Sequence, residues 1–293
     1  MKTGFVAIIG QPNVGKSTLL NRLIGEELSI VTSKPQTTRQ NIVGIYNSDG
    51  VQAIFLDTPG FHEAKKPLNR TMIEKIGTAL ADADIAALVV EPKKGGPDEI
   101  DTALFSKTTG VKHVIIVINK IDTVLSEPWG NVVDKYWQAF NKTPTIAVSA
   151  VRGDGCPVLL NKIIEFLPLG EAYYPIDQYT EHPVRFLASE IIREQATALL
   201  YQELPYSIAV EIEEFKEAVG KGEIVRIGAS IIVEKDSQKG IVIGKKGEMI
   251  KKIGTAARTK IEALTGTKVF LELFVKVVEG WTKDRDILKR LGY

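Results

Sequence analysis

Short runs of apolar residues alternate with amphipathic segments through the first 167 residues of the chain. Near-continuous apolar runs predict strands that are buried on both faces of a sheet, and apolar positions at helical spacing predict helices. Their alternation is typical of a doubly wound α/β domain. The predicted strands are 5–9, 42–46, 53–56, 85–90, 114–118 and 145–148, and the predicted helices are 16–23, 71–81, 98–108, 129–140 and 156–166.

One pair of strands is predicted to be antiparallel. The second and third predicted strands are separated only by residues 47–52, which are rich in the turn formers Asn, Ser, Asp and Gly. A connection of this composition favours a hairpin turn. We therefore expect one antiparallel hairpin at the edge of the sheet.

The pattern changes at residues 168–183, where three prolines and three tyrosines interrupt the helical and strand periods. Such a stretch is typical of a boundary between domains. Beyond it a helix is predicted over 184–200, strands over 207–215 and 224–234, a turn, helical stretches over 248–253 and 256–264, a strand over 269–278 and a short helix over 281–291. The prediction is a first domain over 1–167, a linker over 168–183 and a second, α+β domain over 184–293.

Composition and charge are those of an ordinary globular protein. Apolar residues make up 44% and charged residues 25% of the 293 residues, which excludes a wholly disordered chain. The net charge of +1 provides no global field for nucleic acids or membranes, so any basic site has to be local. A single cysteine, Cys156, leaves no internal disulfide. With no signal-peptide pattern and no apolar run near the ~20 residues that span a bilayer, we expect a cytoplasmic protein that meets membranes only peripherally.

A phosphate-binding loop is predicted between the first strand and the first helix, where residues 10–17 fit the pattern G-x-x-x-x-G-K-[ST]. Glycines let the backbone wrap around phosphates, so that amide N–H groups and the helix N-terminus face the anion. Lys16 is placed to reach the β- and γ-phosphates, and the Ser17 hydroxyl to bind Mg²⁺. The order of strand, loop and helix favours this interpretation over a chance glycine-rich turn. The predicted nucleotide contacts are Gly10, Gln11, Pro12, Asn13, Val14, Gly15, Lys16, Ser17 and Thr18.

The base is predicted to be guanine. Asn119, Lys120 and Asp122 follow the strand at 114–118 in the pattern N-K-x-D, about a hundred residues after the phosphate loop. One carboxylate accepts both the N1–H and the N2 amine of guanine, whereas adenine would present a lone pair to it, so Asp122 is the predicted base reader. Ser149 and Ala150 follow the next strand, where their backbone N–H groups are expected near the guanine oxygen.

A second group of residues is predicted to sense the γ-phosphate. Asp57, Thr58, Pro59 and Gly60 follow the third strand; Asp57 is placed to hold Mg²⁺ through water, and the Gly60 N–H to contact the γ-phosphate. A threonine of the polar segment 33–39 would complete the magnesium shell, with Thr38 favoured over Thr37. Arg39 is expected to contact solvent or a partner rather than to act in catalysis. The metal ligands are thus Ser17, Thr38 and Asp57, and the catalytic candidates are Lys16, Thr38 and Gly60.

One familiar catalytic group is absent. Many GTPases have a glutamine after the glycine of D-x-x-G to orient the attacking water, but this chain has Phe61 there. His62 comes next, and a lone histidine in a loop is more often a bystander. The sequence therefore predicts slow intrinsic hydrolysis, or a water molecule that is positioned by another element.

A nucleic-acid site is predicted in the second domain. Residues 242–253 place a G-x-x-G turn with two lysines between apolar residues that would pack two helices together. This is the K-homology (KH) arrangement, type II in this element order, whose loop clamps about four nucleotides of single-stranded RNA. Seven basic residues against one acidic residue between 239 and 260 favour phosphate binding over an ordinary solvated lysine face. The predicted RNA contacts are Ile243, Gly244, Lys245, Lys246, Gly247, Lys251 and Lys252.

Taken together, these motifs resemble the Era family of GTPases over nearly the whole chain. They are G-Q-P-N-V-G-K-S-T at 10–18, P-Q-T-T-R at 35–39, D-T-P-G-F-H at 57–62, N-K-I-D at 119–122, S-A at 149–150 and V-I-G-K-K-G at 242–247. The resemblance implies a factor for 30S subunit maturation that binds GTP or GDP with Mg²⁺ and the 3′ end of small-subunit ribosomal RNA. It also implies RNA-stimulated hydrolysis and partial association with the inner face of the cell membrane. In related GTPases that lack the glutamine, the asparagine at the position of Asn13 helps to hold K⁺, which implies a K⁺ dependence here.

The expected mechanism is a GTP-controlled RNA clamp, in which the linker transmits loss of the γ-phosphate to the G-x-x-G turn with a coupling free energy of about 1–3 kcal/mol. Two alternatives to the clamp stay open. One is a constitutive RNA-binding component of the ribosome with a static nucleotide, and the other is a signalling GTPase at the membrane surface. We expect a monomer that does not bind DNA.

Overall fold

The computed structural model describes residues 1–32, 34, 38–61, 67–123, 128–201, 204–218, 224–291 and 293. These form two compact units. The first contains most described residues up to Glu181, and the second contains those from His182 onward. Residues 30–32, 34, 67 and 68 also belong to the second unit, although the sequence places them in the first domain.

The first unit is built on a six-stranded sheet in the order β2-β3-β1-β4-β5-β6. All neighbouring strands are parallel except β2 and β3, which form the predicted antiparallel hairpin at the sheet edge. The elements are β1 (Lys2–Gly10), α1 (Lys16–Ile24), β2 (Ile42–Ser48), β3 (Val51–Asp57), α2 (Pro67–Asp82), β4 (Ile85–Val90), α3 (Glu99–Lys107), β5 (His113–Ile118), α4 (Trp129–Ala139), β6 (Thr145–Ala147) and α5 (Cys156–Phe166).

Burial of the central strands explains why they are near-continuous apolar runs. Every residue of β4 is buried, because helices cover both faces of a parallel sheet. The carboxyl ends of β1, β3 and β5 lie along one edge of the sheet, at Gly10, Asp57 and Ile118. In open α/β sheets this is the edge where ligands bind.

The second unit is a three-stranded sheet in the order β7-β8-β9, with β7 antiparallel and β9 parallel to β8. Its elements run α-β-β-α-α-β, the type II KH order, and a short C-terminal helix follows. They are α6 (Val184–Leu199), β7 (Ala209–Lys216), β8 (Val225–Val233), α7 (Asp236–Ile243), α8 (Glu248–Thr265), β9 (Val269–Val277) and α9 (Arg285–Arg290).

One expectation for the second unit was wrong, since the two predicted helical stretches are the single helix α8. The helix that was predicted before the G-x-x-G turn is α7, which takes up most of the residues between β8 and that turn. The gap between the two predicted stretches falls at Gly254, where the helix faces β9. A Cβ at this position would stand 3.4 Å from Leu273 Cδ1, an ordinary contact distance, so the helix continues through a glycine that the packing does not require.

The segment predicted as a linker groups with the first unit as far as Glu181. It follows strand β2, where the Ile45 N–H donates to the Tyr179 carbonyl at 2.8 Å. Among the described residues, no helix combines the length and apolar character that crossing a bilayer requires.

Candidate active site and nucleic-acid interface

The loop between β1 and α1 is shaped by close approaches that only glycine tolerates. A Cβ on Gly15 would stand 2.2 Å from Asn119 Nδ2, and a Cβ on Gly10 would stand 2.3 Å from the Val89 carbonyl oxygen. Gly15 also has a φ of 93°, and Asn13 a φ of 62°, both in the left-handed region. The loop thus presents backbone N–H groups ahead of the N-terminus of α1, the geometry of an anion site.

Lys16 lies within this loop rather than in solvent. Its Nζ donates to the carbonyl oxygens of Gly10 at 3.1 Å and Gln11 at 2.9 Å. Burial lowers the pKa of the Lys16 ammonium to about 8, against the charge of Asp57, which acts to raise it. The ammonium therefore stays mostly charged at neutral pH and is poorly hydrated, which strengthens its attraction for an anion.

Three predicted metal ligands converge on one point. The Ser17 hydroxyl donates to Asp57 Oδ2 at 2.6 Å and lies 2.8 Å from Thr38 Oγ1. Ser29, which the sequence did not single out, donates to the same Asp57 oxygen at 2.7 Å. Thr38 thus occupies the position expected of the metal threonine, while the alternative, Thr37, is outside the described residues.

Asp57 has the properties of a carboxylate suited to a cation. It is fully buried, and its Oδ1 atom has no hydrogen-bond partner among the described residues. Burial raises the pKa of Asp57, while the charge of Lys16 and the hydroxyls of Ser17, Ser29 and Thr38 oppose that rise. A buried carboxylate oxygen beside two hydroxyl oxygens is the hard donor set that Mg²⁺ prefers.

The turn after Asp57 packs against the phosphate loop. Thr58 Oγ1 donates to the Ile8 carbonyl at 2.8 Å, which anchors the turn to β1. A Cβ on Gly60 would stand 2.8 Å from Pro12 Cα, so the backbone at Gly60 approaches the loop as closely as glycine allows. Pro59, which lies between Thr58 and Gly60 in the chain, is buried.

Phe61 is directed into the apolar interior. Its half-buried ring packs on the core that includes Ile76 and Leu80, and the Lys107 ammonium lies 5.6 Å from the ring centroid. The ring therefore has a packing role. His62 is outside the described residues, so its predicted bystander role stays a prediction.

Replacing Phe61 with alanine is expected to leave single-turnover GTP hydrolysis within about twofold of the wild-type rate, because the ring has no group that orients water. It should lower the free energy of unfolding by about 1–3 kcal/mol, since a half-buried aromatic ring is lost. Ile73→Ala on the same apolar surface is the matched control. A hydrolysis rate at least about a hundredfold lower in the Phe61 variant alone would show that the residue acts in catalysis.

The predicted base loops are joined by Asn119. Its Nδ2 donates to the Val14 carbonyl at 2.8 Å, and its Oδ1 accepts from the Ala150 N–H at 2.9 Å. The Ser149 hydroxyl donates to Asp122 Oδ1 at 2.6 Å, and this bond lowers the pKa of Asp122. Asp122 is therefore held as an oriented, charged acceptor, as a reader of two adjacent donors has to be.

Other contacts differ from the sequence-based expectation. The Ser149 N–H donates to the Asp154 carbonyl at 2.8 Å, so in this structure both predicted oxygen-binding amides hold the loop together. Lys120, which comes shortly after β5, forms an ion pair with Glu91, which directly follows β4. Arg39, expected at the surface, was misplaced by sequence reasoning, because its side chain is 1% exposed.

Sequence reasoning predicted Gln11 as a nucleotide contact but missed the carboxylates and the lysine that surround its side chain. Gln11 Nε2 donates to Asp101 Oδ1 at 2.8 Å and to both oxygens of Asp98, and Lys93 pairs with the same two carboxylates. Asp98 and Asp101 form the capping box that begins α3. Their D-x-x-D spacing was a readable signal for a helix start, but the long-range bond to Gln11 left no local signal.

Asn21 braces the other side. Its Oδ1 accepts from the N–H groups of Leu28 at 3.1 Å and Ser29 at 2.9 Å, and its Nδ2 donates to the Ser29 carbonyl at 2.7 Å. These bonds fix the backbone from which the Ser29 hydroxyl reaches Asp57. Arg22, the next residue of α1, donates to the Ala150 and Val151 carbonyls.

The G-x-x-G turn of the second unit joins α7 to α8 as predicted. Gly244 and Gly247 have φ values of 73° and 79°, and a Cβ on Gly244 would stand 2.7 Å from Met249 Cβ. Lys245 and Lys246 are exposed within the turn. The predicted contacts Lys251 and Lys252 are exposed on the first turns of α8, and Ile243 is half-buried before the turn.

A groove between α8 and β9 continues from this turn. It has an apolar floor of Leu271 and Leu273 and a polar wall that includes Lys251 and Arg258. Such a groove fits unstacked bases, with the phosphates along the basic wall. Arg258 and Thr255 were not among the predicted contacts, although their spacing from Lys251 on one helix face could have indicated them. The lining residues are Ile250, Lys251, Gly254, Thr255, Arg258, Leu271 and Leu273.

Comparison with known families identifies both predicted domain types. Residues 5–120 match the family described as 50S ribosome-binding GTPase, and residues 203–282 match the KH domain family. The chain is 47% identical over 293 residues to GTPase Era of Syntrophus aciditrophicus, covering 100% of this chain and 95% of the relative. It is also 47% identical over 296 residues to GTPase Era of Geobacter metallireducens, covering 100% and 98%.

Solved structures agree over the full length. A variant of Aquifex aeolicus Era bound to GDP and AlF₄⁻ superposes with a TM-score of 0.94 at 40% identity, covering 100% of this chain and 99% of that one. Era in complex with MgGDPNP and nucleotides 1506–1542 of 16S ribosomal RNA gives a TM-score of 0.94 at 39% identity with the same coverage.

Proposed function

This chain belongs to the Era family of GTPases, and from that premise we propose that it is a GTP-controlled clamp on the 3′ end of small-subunit ribosomal RNA that acts in 30S maturation. GTP hydrolysis itself follows from the family. The observation that carries the proposal is that Ser17, Thr38 and Asp57 converge, while the described residues between Ser29 and Thr38 group with the KH unit.

In the nucleotide site, Lys16 would bind the β- and γ-phosphate oxygens, and Ser17, Thr38 and Asp57 would hold Mg²⁺. The ion would neutralise the charge that develops between those phosphates. Asp122 would accept the two donors of guanine, while Asn119 keeps its loop against the phosphate loop. The Gly60 N–H would contact the γ-phosphate and so report its loss.

In the KH unit, Lys245 and Lys246 would neutralise phosphates that approach the glycines of the turn, and the groove along β9 would take the bases. Arg258 joins this set on the basis of its place in the groove. The Era structure with nucleotides 1506–1542 of 16S ribosomal RNA supports this choice of RNA. RNA binding in turn is proposed to stimulate an otherwise slow hydrolysis.

The two sites need a physical connection, and residues 30–34 are the best candidate. The described residues of this segment group with the second unit, whereas Ser29, directly before the segment, and Thr38, four positions after Lys34, belong to the first. Ser29 bonds Asp57, and Thr38 bonds Ser17. A rearrangement of the metal ligands would therefore displace Ser29 and Thr38, which lie on either side of the segment. For this reason we favour the segment over the predicted linker as the route that couples the nucleotide site to the RNA site.

Within the second unit this segment is tied to helix α6. The Lys34 ammonium donates to the carbonyls of Thr197, Ala198 and Leu200 at the C-terminal end of that helix, where a cation is favoured. The Val31 N–H donates to Glu194 at 3.3 Å, and Glu194 pairs with Lys260 of α8 at 3.0 Å. Since α8 begins at the G-x-x-G turn, these contacts within the second unit support the proposal that the segment acts on the RNA site.

Replacing Lys34 with methionine should weaken this path. We expect the ratio of RNA affinities between the GTP-analogue and GDP states to fall by about threefold or more, because charge-assisted bonds to three carbonyls are lost. GTP affinity without RNA should change little. Fluorescence anisotropy with a labelled RNA 3′-end oligonucleotide measures the ratio, with Lys112→Met as the surface control. An unchanged ratio would exclude this segment as the route.

The overall proposal is tested by GTP turnover in K⁺ and in Na⁺, each with and without a short oligonucleotide of the small-subunit RNA 3′ end. A clamp predicts stimulation by the RNA, and K⁺ held by Asn13 predicts faster turnover in K⁺. Turnover that ignores RNA would favour a constitutive RNA-binding component of the ribosome.

A membrane-surface signalling role is the other alternative. Anionic vesicles that compete with single-stranded RNA at equal salt, and bind more tightly, would favour it. Peripheral association with the cell membrane and the cytoplasmic location stay predictions, as does the monomeric state.

A further inference from the structure

An exposed strip of aromatic, aliphatic and acidic residues follows the edge of the first unit. We call residues 169–181 the acidic aromatic strip. Leu169 is 82% exposed and Ile176 is 75% exposed, and Tyr173 and Tyr179 are at least half exposed. Between Lys162 and Arg185 the chain has no lysine or arginine, but it has four carboxylates, three of them in the strip at Glu171, Asp177 and Glu181. Exposed large apolar side chains concentrated in this way mark interaction surfaces.

The backbone of the strip is fixed to the sheet. Gln52 is fully buried, and its Oε1 accepts from the N–H groups of Tyr173 at 2.7 Å and Tyr174 at 3.0 Å, while its Nε2 donates to the Tyr174 carbonyl at 2.8 Å. Near the end of the strip the Ile45 N–H donates to the Tyr179 carbonyl at 2.8 Å. A surface held in this way loses little conformational entropy on binding.

The start of the strip is held in the same manner. The Thr3 N–H donates to the Pro168 carbonyl at 3.0 Å, and the Gly170 N–H donates to the Met1 carbonyl at 3.0 Å. The side chains named above are therefore displayed outward from a segment whose backbone is already ordered. This differs from a flexible tether, which would present the same residues at a greater entropic cost.

The charge of the strip selects among partners. The strip has three carboxylates and no lysine or arginine of its own. The Met1 ammonium donates to the Gly170 carbonyl at 3.0 Å and the Lys2 ammonium to the Leu167 carbonyl at 2.8 Å, so two cations lie at its start and the carboxylates are in excess by one. This acidic excess disfavours RNA phosphates and anionic lipid headgroups, which are the ligands proposed for other parts of the protein. Arginine and lysine side chains instead pair with carboxylates and pack on tyrosine rings, and apolar side chains of the same ligand would cover Leu169 and Ile176. The surface therefore complements a basic polypeptide with interspersed apolar residues.

We propose that the acidic aromatic strip binds a basic polypeptide segment of a partner protein, in which arginine or lysine alternates with apolar residues. This site shares no residue with the nucleotide and RNA sites, and the proposal does not depend on the clamp.

The test uses the full-length protein and a labelled peptide in which arginine alternates with leucine, with a glutamate–leucine peptide as the charge control. The proposal predicts that only the basic peptide binds. The double variants Leu169→Ser/Ile176→Ser and Glu171→Gln/Asp177→Asn should each bind it about tenfold more weakly, with unchanged GTP turnover. The matched control, Glu99→Gln/Ile100→Ser on α3, should bind like the wild type.

Several outcomes would overturn the proposal. Equal peptide binding by the wild type and both strip variants would show that the strip is not the site. Substitutions in the strip that weaken binding to anionic vesicles or single-stranded RNA, with peptide binding unchanged, would assign it to those ligands. Loss of self-association in sedimentation, with peptide binding unchanged, would make it a contact between copies of this chain.

Discussion

Replacing Asp122 with asparagine is expected to weaken GTP binding by about 30- to 1,000-fold, which corresponds to about 2–4 kcal/mol. The Ser149 hydroxyl holds the carboxylate as an acceptor at 2.6 Å, and guanine presents two donors to it. An asparagine offers one acceptor and places an NH₂ donor against the second guanine donor. The affinity for GTP falls because two charge-assisted hydrogen bonds are lost and because the new NH₂ group faces a hydrogen-bond donor of guanine.

The same variant should gain affinity for xanthosine triphosphate. Xanthine has an oxygen where guanine has the N2 amine, and that oxygen accepts from the new NH₂ group. Competition of unlabelled nucleotides against a fluorescent GDP measures both changes. Asp154→Asn is the control, because its side chain is exposed in the adjacent loop. GTP binding that is unchanged in the Asp122 variant would contradict the assignment of the base reader.

The second large effect is expected at the G-x-x-G turn. Replacing Lys245 and Lys246 together with glutamate should weaken binding of the RNA 3′-end oligonucleotide by about a hundredfold at low salt, because two phosphate contacts are lost and repulsion is added. The slope of log affinity against log salt should become shallower by about 1.4 for the two lost contacts. GTP turnover without RNA should be unchanged, since both lysines lie outside the nucleotide site.

A matched pair keeps this prediction specific. Lys283→Glu/Lys289→Glu changes the same number of exposed charges in the second unit outside the turn and the groove. It should weaken RNA binding by less than about threefold, through the long-range field alone. Equal losses in both double variants would mean that the turn has no special role in phosphate binding.

The fold could be predicted where the hydrophobic pattern is unambiguous. Strand β4 and helix α5 have the bounds that the sequence predicts, because one is a fully buried run and the other a regular amphipathic helix. Prediction failed at Gly254, which lies between the two predicted helical stretches. The helix continues through it because α8 is stabilised by its packing in the core of the second unit, which outweighs the low helix propensity of one glycine. A helix before the G-x-x-G turn was predicted but its bounds were not, because Gly240 and three β-branched residues in a short segment have low helix propensity.

The candidate site shows the same division. Lys16, Ser17, Asp57, Asn119 and Asp122 were predicted because motif spacing encodes their local backbone geometry, and the structure brings them to one sheet edge. Ser29 was missed and Arg39 was misplaced because their surroundings depend on contacts between distant parts of the chain. Gln11 was predicted as a nucleotide contact, but its bond to Asp101, which is 90 positions away, was not predicted. Side-chain contacts between residues so far apart in the chain produce no periodic pattern from which they could be predicted.

The central claim is that the affinity for RNA depends on whether GTP or GDP is bound. It is tested most directly by measuring the affinity of the full-length protein for the RNA 3′-end oligonucleotide with GDP bound and with a non-hydrolysable GTP analogue bound, at the same salt and Mg²⁺ concentrations. The clamp predicts affinities that differ by about 5- to 150-fold. By linkage, the RNA should change the relative affinities for the two nucleotides by the same factor. Equal RNA affinity in the two states would contradict the account.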